Sequence, residues 1–258
     1  MIKVEELRDF LEEKYRKYNT PDFITDDPVS IPHRFTHKHD IEIAGFLTAT
    51  ISWGRRKSIV DSAGKLMEMM EHSPAQFAVN AEESDIKKFN FIYRTLQAED
   101  TRSILRGLGN VYRSGSSLEQ IFSEPMNGAG DTAPGIRNLR QVLSQCGKLQ
   151  PRTLKHLPDP AGNSAAKRMN MFLRWMVRKD QNGVDFGIWN SIHPSQLVCP
   201  VDVHAGNVAR KLGLIQSRQI NWNAAMQLTC NLRKLDPEDP VKFDFALFGL
   251  GIYENFAS

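Results

Sequence analysis

Apolar positions recur at helical spacing along nearly the whole chain. Val4, Leu7, Phe10, Leu11 and Tyr15 predict an amphipathic first helix over residues 3–18. Residues 20–40, rich in Pro, Asp and His, read as a loop. Ile41, Ile43, Ala44, Phe46, Leu47 and Ile51 predict a buried helix over 40–53, which Gly54 interrupts. A helix over 58–71 is expected to stop near Ser73-Pro74, because proline disfavours helix in the residue before it. Weaker periodicity predicts helices near 84–97, 101–113 and 117–123. Gly, Pro and Asp mark 124–135 as a linker and 148–163 as a loop, with a helix at 136–146 between them. Helices follow at 164–179, at 203–212 with Gly213 as its stop, at 221–235 and at 239–255. No alternating strand pattern, internal repeat or low-complexity tail is visible, so the expected fold class is all-α.

Composition narrows the setting. The chain is 41% hydrophobic and 24% charged, as ordinary globular proteins are. No apolar run approaches the roughly 18 residues that span a bilayer, and the charged N-terminus lacks a signal-peptide core. No membrane association is expected, and a cytoplasmic location is. Cys146, Cys199 and Cys230 are odd in number and far apart, which argues against a disulfide framework or a cysteine metal centre. Charge is uneven: residues 136–258 carry 16 basic against 9 acidic side chains (+7), and 1–135 carry 17 against 21 (−4). A basic half suits a polyanionic partner, although solvated helix faces produce the same count.

The sharpest chemistry lies in two segments. In the helix from Ser164, a candidate N-cap, residues Ala165, Ala166, Met169, Phe172, Leu173, Met176 and Val177 form an apolar stripe. Lys167, Asn170, Arg174 and Arg178, spaced three, four and four apart, share the polar face. A solvated basic face satisfies that spacing as well as a reactive lysine does. The preceding LPDPAGN forms a hairpin that can offer N–H groups to a phosphate. Downstream, Asp202 stands just before an apolar-periodic helix, where a helix N-cap explains it unaided.

Around these residues the chain resembles the helix-hairpin-helix DNA glycosylases, and most closely the 8-oxoguanine glycosylases. GFLTATISWGRRKSIVDSAGKLMEMM is similar to the early helix–loop–helix whose turn enters DNA, LPDPAGNSAAKRMNMFL with PVDVHAGNVAR to the hairpin and catalytic pair, and FDFALFGLG to a helix of the base pocket. Through PHRF, GRR, KRMNMFLRWMVR, PVDVH and DPVKFDFALFGLG the whole chain is also similar to a bacterial family of unknown function. Where the glycosylase hairpin carries two glycines, this one has Gly162 alone, with Pro160 beside it. The separation of 202 − 167 = 35 residues exceeds that of most members, and the insert 179–196 is expected to loop out.

The resemblance implies two helical subdomains with a cleft between them, one of residues 1–45 and 148–258, the other of 46–147. It implies a base-excision glycosylase with AP-lyase activity, acting on duplex DNA that carries a damaged base, an oxidised purine among the candidates. Lys167 would attack C1′, with Asp202 stabilising the cationic sugar. Arg168 would favour the neutral amine. Gly162 would serve the hairpin. Trp53, Gly54, Arg55 and Arg56 would contact DNA, and His204 a phosphate or the Asp202 network. Asp244 and Phe248 would meet the flipped base, although core packing explains Phe248 equally. No cofactor or metal is expected, and a monomer is the expected state.

Two alternatives stand beside this reading. A non-catalytic DNA-binding relative would share every one of these features, because fold does not imply function. The cluster His33, His37, His39 and Asp40 carries an adjacent His-Asp pair of the kind helical metal-dependent phosphohydrolases use. The catalytic reading makes one geometric demand: the Lys167 amine and the Asp202 carboxylate must converge.

Overall fold

The computed structural model describes residues 3–256. Along it run α1 (Val4–Tyr18), α2 (Asp22–Asp26), α3 (Lys38–Thr50), α4 (Arg56–Met69), α5 (Pro74–Asn80), α6 (Glu83–Lys88), α7 (Ala98–Arg113), α8 (Leu118–Met126), α9 (Ala133–Gly147), α10 (Lys167–Val177), α11 (Val203–Lys211), α12 (Trp222–Arg233) and α13 (Asp244–Ile252). Among the described residues there is no strand, only an isolated bridge between Tyr93 and Leu96, so the fold is all-α. No described helix is long and apolar enough to cross a membrane.

The chain divides into two compact units. One holds the chain up to Phe23, Gly130–Thr132 and everything from Pro160 onward; the other holds Ile24–Ala129 and Ala133–Asp159. These bounds differ from the expected 1–45 with 148–258 and 46–147, and specific contacts explain why. α3 is buried along Ile41–Thr50 and packs on α4 and α5, which draws residues 24–45 into the second unit. Buried Asp100 of α7 accepts from Arg152 Nη2 at 2.6 Å and Thr153 Oγ1 at 2.6 Å, and Arg140 of α9 donates to the carbonyls of Leu154 and Leu157. The segment 148–159 is thereby fastened to α7 and α9.

Within that second unit, α7 packs on α5 and α9, and α8 on α9. The helix expected to stop near Ser73-Pro74 does so, α4 ending at Met69, and Pro74 opens α5, a place where its missing N–H costs nothing; one expectation fails locally. The helix expected over 84–97 ends at Lys88. From Phe89 the residues Phe89, Phe91 and Tyr93 are buried while Asn90 and Ile92 are exposed, a period of two that overrides the helical pattern.

In the first unit, α13 packs against α1 and α11, and α12 against the turn Pro240–Phe243. Leu11, Val201, Val208, Leu228, Leu232, Phe243, Leu247 and Leu250 belong to its core. The insert 179–196 does not loop out. Val184, Trp189 and Ile192 are buried, Phe186 and Trp189 donate backbone N–H groups to the carbonyls of Trp175 and Met176, and Trp189 stands edge-on to Phe172. The insert therefore closes over the C-terminal half of α10.

α1 and α13 approach closely at Gly249. A Cβ there would lie 2.0 Å from Cδ2 of the Tyr18 ring, which is held by its hydroxyl bond to Glu254 and by stacking on Tyr253. Alanine normally favours a helix interior over glycine by about 1 kcal/mol. Here the clash should win. Gly249→Ala is expected to lower unfolding free energy in urea by about 1–3 kcal/mol; a neutral or stabilising result would show that the α1–α13 contact is loose.

Candidate active site

The site grows from the start of α10. The chain enters through a single turn at Pro160–Gly162, with Gly162 exposed, and then takes left-handed conformations at Asn163 (φ 62°) and Ala166 (φ 48°). Asparagine tolerates that region better than most residues, and here it stands beside the single glycine of the hairpin. The Asn163 carbonyl accepts from Trp222 N–H of α12 at 3.2 Å. Ala166, not Ser164, is the N-cap, so Lys167 is the first residue of the helix. The Ser164 hydroxyl instead accepts from Ala166 N–H at 3.3 Å.

Asp202 caps α11: its Oδ1 accepts from Ala205 N–H at 3.0 Å. Its other oxygen, Oδ2, lies 2.6 Å from Lys167 Nζ. The N-cap role and the pairing role are thus divided between the two oxygens of one carboxylate. The two side chains are 39% and 34% exposed, so a solute can reach the pair. Burial pushes the Asp202 carboxyl up, but Lys167, the Ala205 N–H and His204 together outweigh it and hold the group below its ordinary 3.8. Its contribution to stability is therefore present above that ordinary value and fades as pH falls through the lowered one.

The rest of the polar face of α10 is not solvated. Asn170, Arg174 and Arg178 are all buried. Asn170 accepts from Thr132 Oγ1 at 2.7 Å, which helps bring residues 130–132 into this unit. Arg174 donates from Nε to Asp185 at 3.2 Å and from Nη1 to Asp244, and its guanidinium lies 4.2 Å from the centre of the Phe245 ring. Arg178 donates from Nη1 to Asp185 at 2.6 Å and from Nε to both oxygens of Asp239 at 2.9 Å. Asp185 carries no motif; only the packed insert reveals it as the acceptor both arginines share.

The remaining candidates fall as follows. Arg168 is half-buried, and loss of solvent lowers its guanidinium to about 10. His204 is exposed in the first turn of α11, with its Cβ 3.6 Å from where a Cβ on Gly251 of α13 would stand. Asp244, in the first turn of α13, is buried against Arg174. Burial raises its carboxyl to about 6, against the pull of Arg174 and Lys167 and with the push of Asp202. Phe248 is half-buried, edge-on to Phe23 and Tyr253.

Trp53, Gly54, Arg55 and Arg56 belong to the second unit. Trp53 is half-buried, stacked 5.8 Å from His156 and edge-on to Tyr93, whose hydroxyl donates to the Trp53 carbonyl at 2.8 Å. Gly54 is exposed with φ +106°, a conformation that requires glycine, and it presents Arg55 to solvent ahead of α4. In the histidine cluster, Asp40 accepts from Ala75 N–H at 2.9 Å in the first turn of α5, and His39 stands edge-on to Tyr112. Among the described residues no group of three His, Cys, Asp or Glu side chains is placed to hold a metal ion.

An all-α chain with a lysine–aspartate pair at two helix starts is the class that fold and site define. The chain belongs to the family described as "Protein of unknown function (DUF2400)", whose profile matches residues 27–253. No curated protein and no solved structure matches it.

Asp244 carries a pH signature opposite to that of Asp202. Its folded value is raised, so its stabilising contribution is complete below 3.8 and is lost as pH rises towards about 6. The slope from this group reaches at most about 1.4 kcal/mol per pH unit. Asp244→Asn should flatten the wild-type stability profile across that window in urea titrations; identical slopes for both proteins would contradict the assignment.

Proposed function

We propose that this protein is a DNA base-excision glycosylase of the helix-hairpin-helix type with AP-lyase activity, acting on an oxidised purine in duplex DNA. The observation that carries the reading is the accessible Lys167–Asp202 pair at 2.6 Å, with the carboxylate held rigid by its cap bond to Ala205. Support also comes from the doubled-back entry into α10, with two left-handed residues ahead of the lysine. The basic excess of residues 136–258 suits a polyanion.

In this reading the target nucleotide leaves the stack, at a cost of a few kcal/mol. Lys167 Nζ enters the reaction as the neutral amine, its proton having passed to the solvent that reaches the exposed pair, and Asp202 stays ionised beside it. The nitrogen lone pair forms a bond to C1′ as the C1′–N bond breaks. The electron pair departs with the base, which takes up a proton. The Asp202 carboxylate faces the positive charge that develops on the sugar, a fixed group placed where charge appears. Ring opening gives an imine between Lys167 and C1′, and elimination of the 3′ phosphate cleaves the strand. Arg55 and the Gly54 turn would serve as a phosphate contact, since both are exposed on a conformation that only glycine enters readily.

Borohydride trapping on a duplex containing 8-oxoguanine tests this. The wild type should yield a covalent adduct that Lys167→Ala abolishes. Asp202→Asn retains an oxygen for the cap bond and should slow base release by about 100-fold. No adduct across oxidised, alkylated and deaminated bases would reject the catalytic reading. Salt-sensitive duplex binding without trapping would assign the chain to non-catalytic DNA binding instead.

A further inference from the structure

The second unit carries a cleft of about 490 Å³ between α6, α7 and the end of α9. On α7, Glu99, Arg106 and Arg113 are spaced seven apart and share one face. At 1.5 Å per residue, Arg106 and Arg113 stand about 10 Å apart along the helix. At the Arg106 end, Glu83 accepts from Nη2 at 2.7 Å and from Nε at 2.9 Å, and Glu99 accepts from Nη1 at 3.2 Å. Both carboxylates stay about half exposed, at 54% and 50%. Arg102 reaches Glu99 only at 3.5 Å. At the other end, Arg113 donates to neutral oxygens: the Val79 carbonyl at 2.9 Å, the Ala78 carbonyl at 3.4 Å and Asn110 Oδ1 at 2.8 Å. Gly109 makes room for this, since a Cβ there would stand 2.4 Å from the Ala78 oxygen and 3.1 Å from Arg113 Nη2. Asn110 also donates to the Cys146 carbonyl at 2.7 Å, which ties the end of α9 to α7. Lys148 enters from that opposite wall, next to Gly147, whose Cβ would lie 2.2 Å from the Ser103 carbonyl oxygen.

Cations suit helix ends, and that accounts for Arg113 at the carbonyls of α5 and for Lys148 just past α9. It supplies neither with a counter-charge. Among the described residues no carboxylate meets Arg113 or Lys148. A guanidinium has five N–H groups, so Arg113 keeps donors for a further acceptor. Two carboxylates and three cations line the cleft, which leaves one net positive charge. A single small anion would occupy only the Arg113 end. A nucleic-acid strand would set further phosphates against Glu83 and Glu99. The lining is matched by a molecule with two negative groups and one positive group spread over about 10 Å. An extended three-residue peptide spans that distance, at about 3.3–3.6 Å per residue. Its free ends supply one charge of each sign, and an acidic side chain supplies the other negative charge. The volume falls within the roughly 300–1,000 Å³ of small-molecule pockets.

We propose that this cleft binds a short acidic peptide with free ends, about three residues long. The terminal carboxylate sits on the unused donors of Arg113, a charge-assisted contact. The ammonium donates to Glu83 and Glu99, and the acidic side chain meets Lys148. No covalent step is involved. Lys167 and Asp202 belong to the other unit, and the peptide site does not depend on the glycosylase reading.

Isothermal titration of the full-length protein with the tripeptide alanyl-glutamyl-alanine tests this, and saturable binding is expected. Amidating its carboxylate, acetylating its amine or replacing its glutamate by glutamine should each weaken binding about 10-fold. Lys148→Ala should weaken the glutamate peptide by the same factor and leave the glutamine peptide unchanged. Arg113→Gln should weaken the free peptide and spare the amidated one. A general loosening of the fold would weaken every peptide alike. Lys148 is exposed, so its variant still decides if Arg113→Gln does not fold. No heat from the free peptide at millimolar concentration, or equal binding of free and blocked forms, overturns the proposal. Binding that survives Lys148→Ala unchanged but is lost in Lys167→Ala overturns it as well, because the peptide would then sit at the other unit.

Discussion

Two guanidinium groups lie inside a helical unit where little water reaches them, and that constraint organises everything around α10. A buried charge stripped of its partner typically costs about 3–5 kcal/mol. Arg174 and Arg178 offset that penalty with Asp185 from the insert, Asp239 from the turn before α13 and Asp244 from α13 itself. Asp180 adds a fourth carboxylate and joins Arg178 to Asn19 and Tyr15 at the end of α1. Three separate stretches of chain are thus held to one helix by directional bonds. Apolar packing would bring them close, but it would not set the rotation of α10 as sharply.

That rotation places Lys167. With Arg174 and Arg178 turned inward, the same side of the helix one and two turns earlier carries Asn170 and then Lys167 towards its open end. The left-handed Ala166 ends the incoming loop there and lets the lysine begin the helix. On the partner side, the cap bond to Ala205 restrains Asp202. The 2.6 Å contact is therefore the meeting of two pre-set elements, one held by buried ion pairs and the other by a helix cap. A surface ion pair of this exposure contributes little stability by itself. Its importance lies in the arrangement of a nucleophile and a carboxylate that a solute can reach.

Much of this was legible beforehand. The helical period located most helices, and the spacing of Lys167, Asn170, Arg174 and Arg178 identified one polar side of α10. Asp202 was recognisable as a helix cap, because a side-chain oxygen just before an apolar-periodic run has a local physical role. Other features depended on contacts far apart in sequence. Asp185 lies in an insert expected to loop out, and nothing nearby announces that Val184 and Trp189 will be buried beside it. The unit bounds depended on Asp100 reaching Arg152 and Thr153, more than fifty residues away. The segment after Lys88 had a competing period of two in Phe89, Phe91 and Tyr93, and burial decided between the two periods.

The helical class, the approximate helix positions, the cap at Asp202 and the shared side of α10 are all written in local stretches of the chain. These follow from local backbone preferences and from the 3.6-residue repeat, which act within a few turns. Long-range packing sets which way the polar side of α10 faces. A spacing of three and four residues groups side chains without saying whether water or protein will surround them. Partners arriving from the insert and from α13 supplied the carboxylates that make burial affordable, and that left Lys167 alone at the accessible end, opposite Asp202.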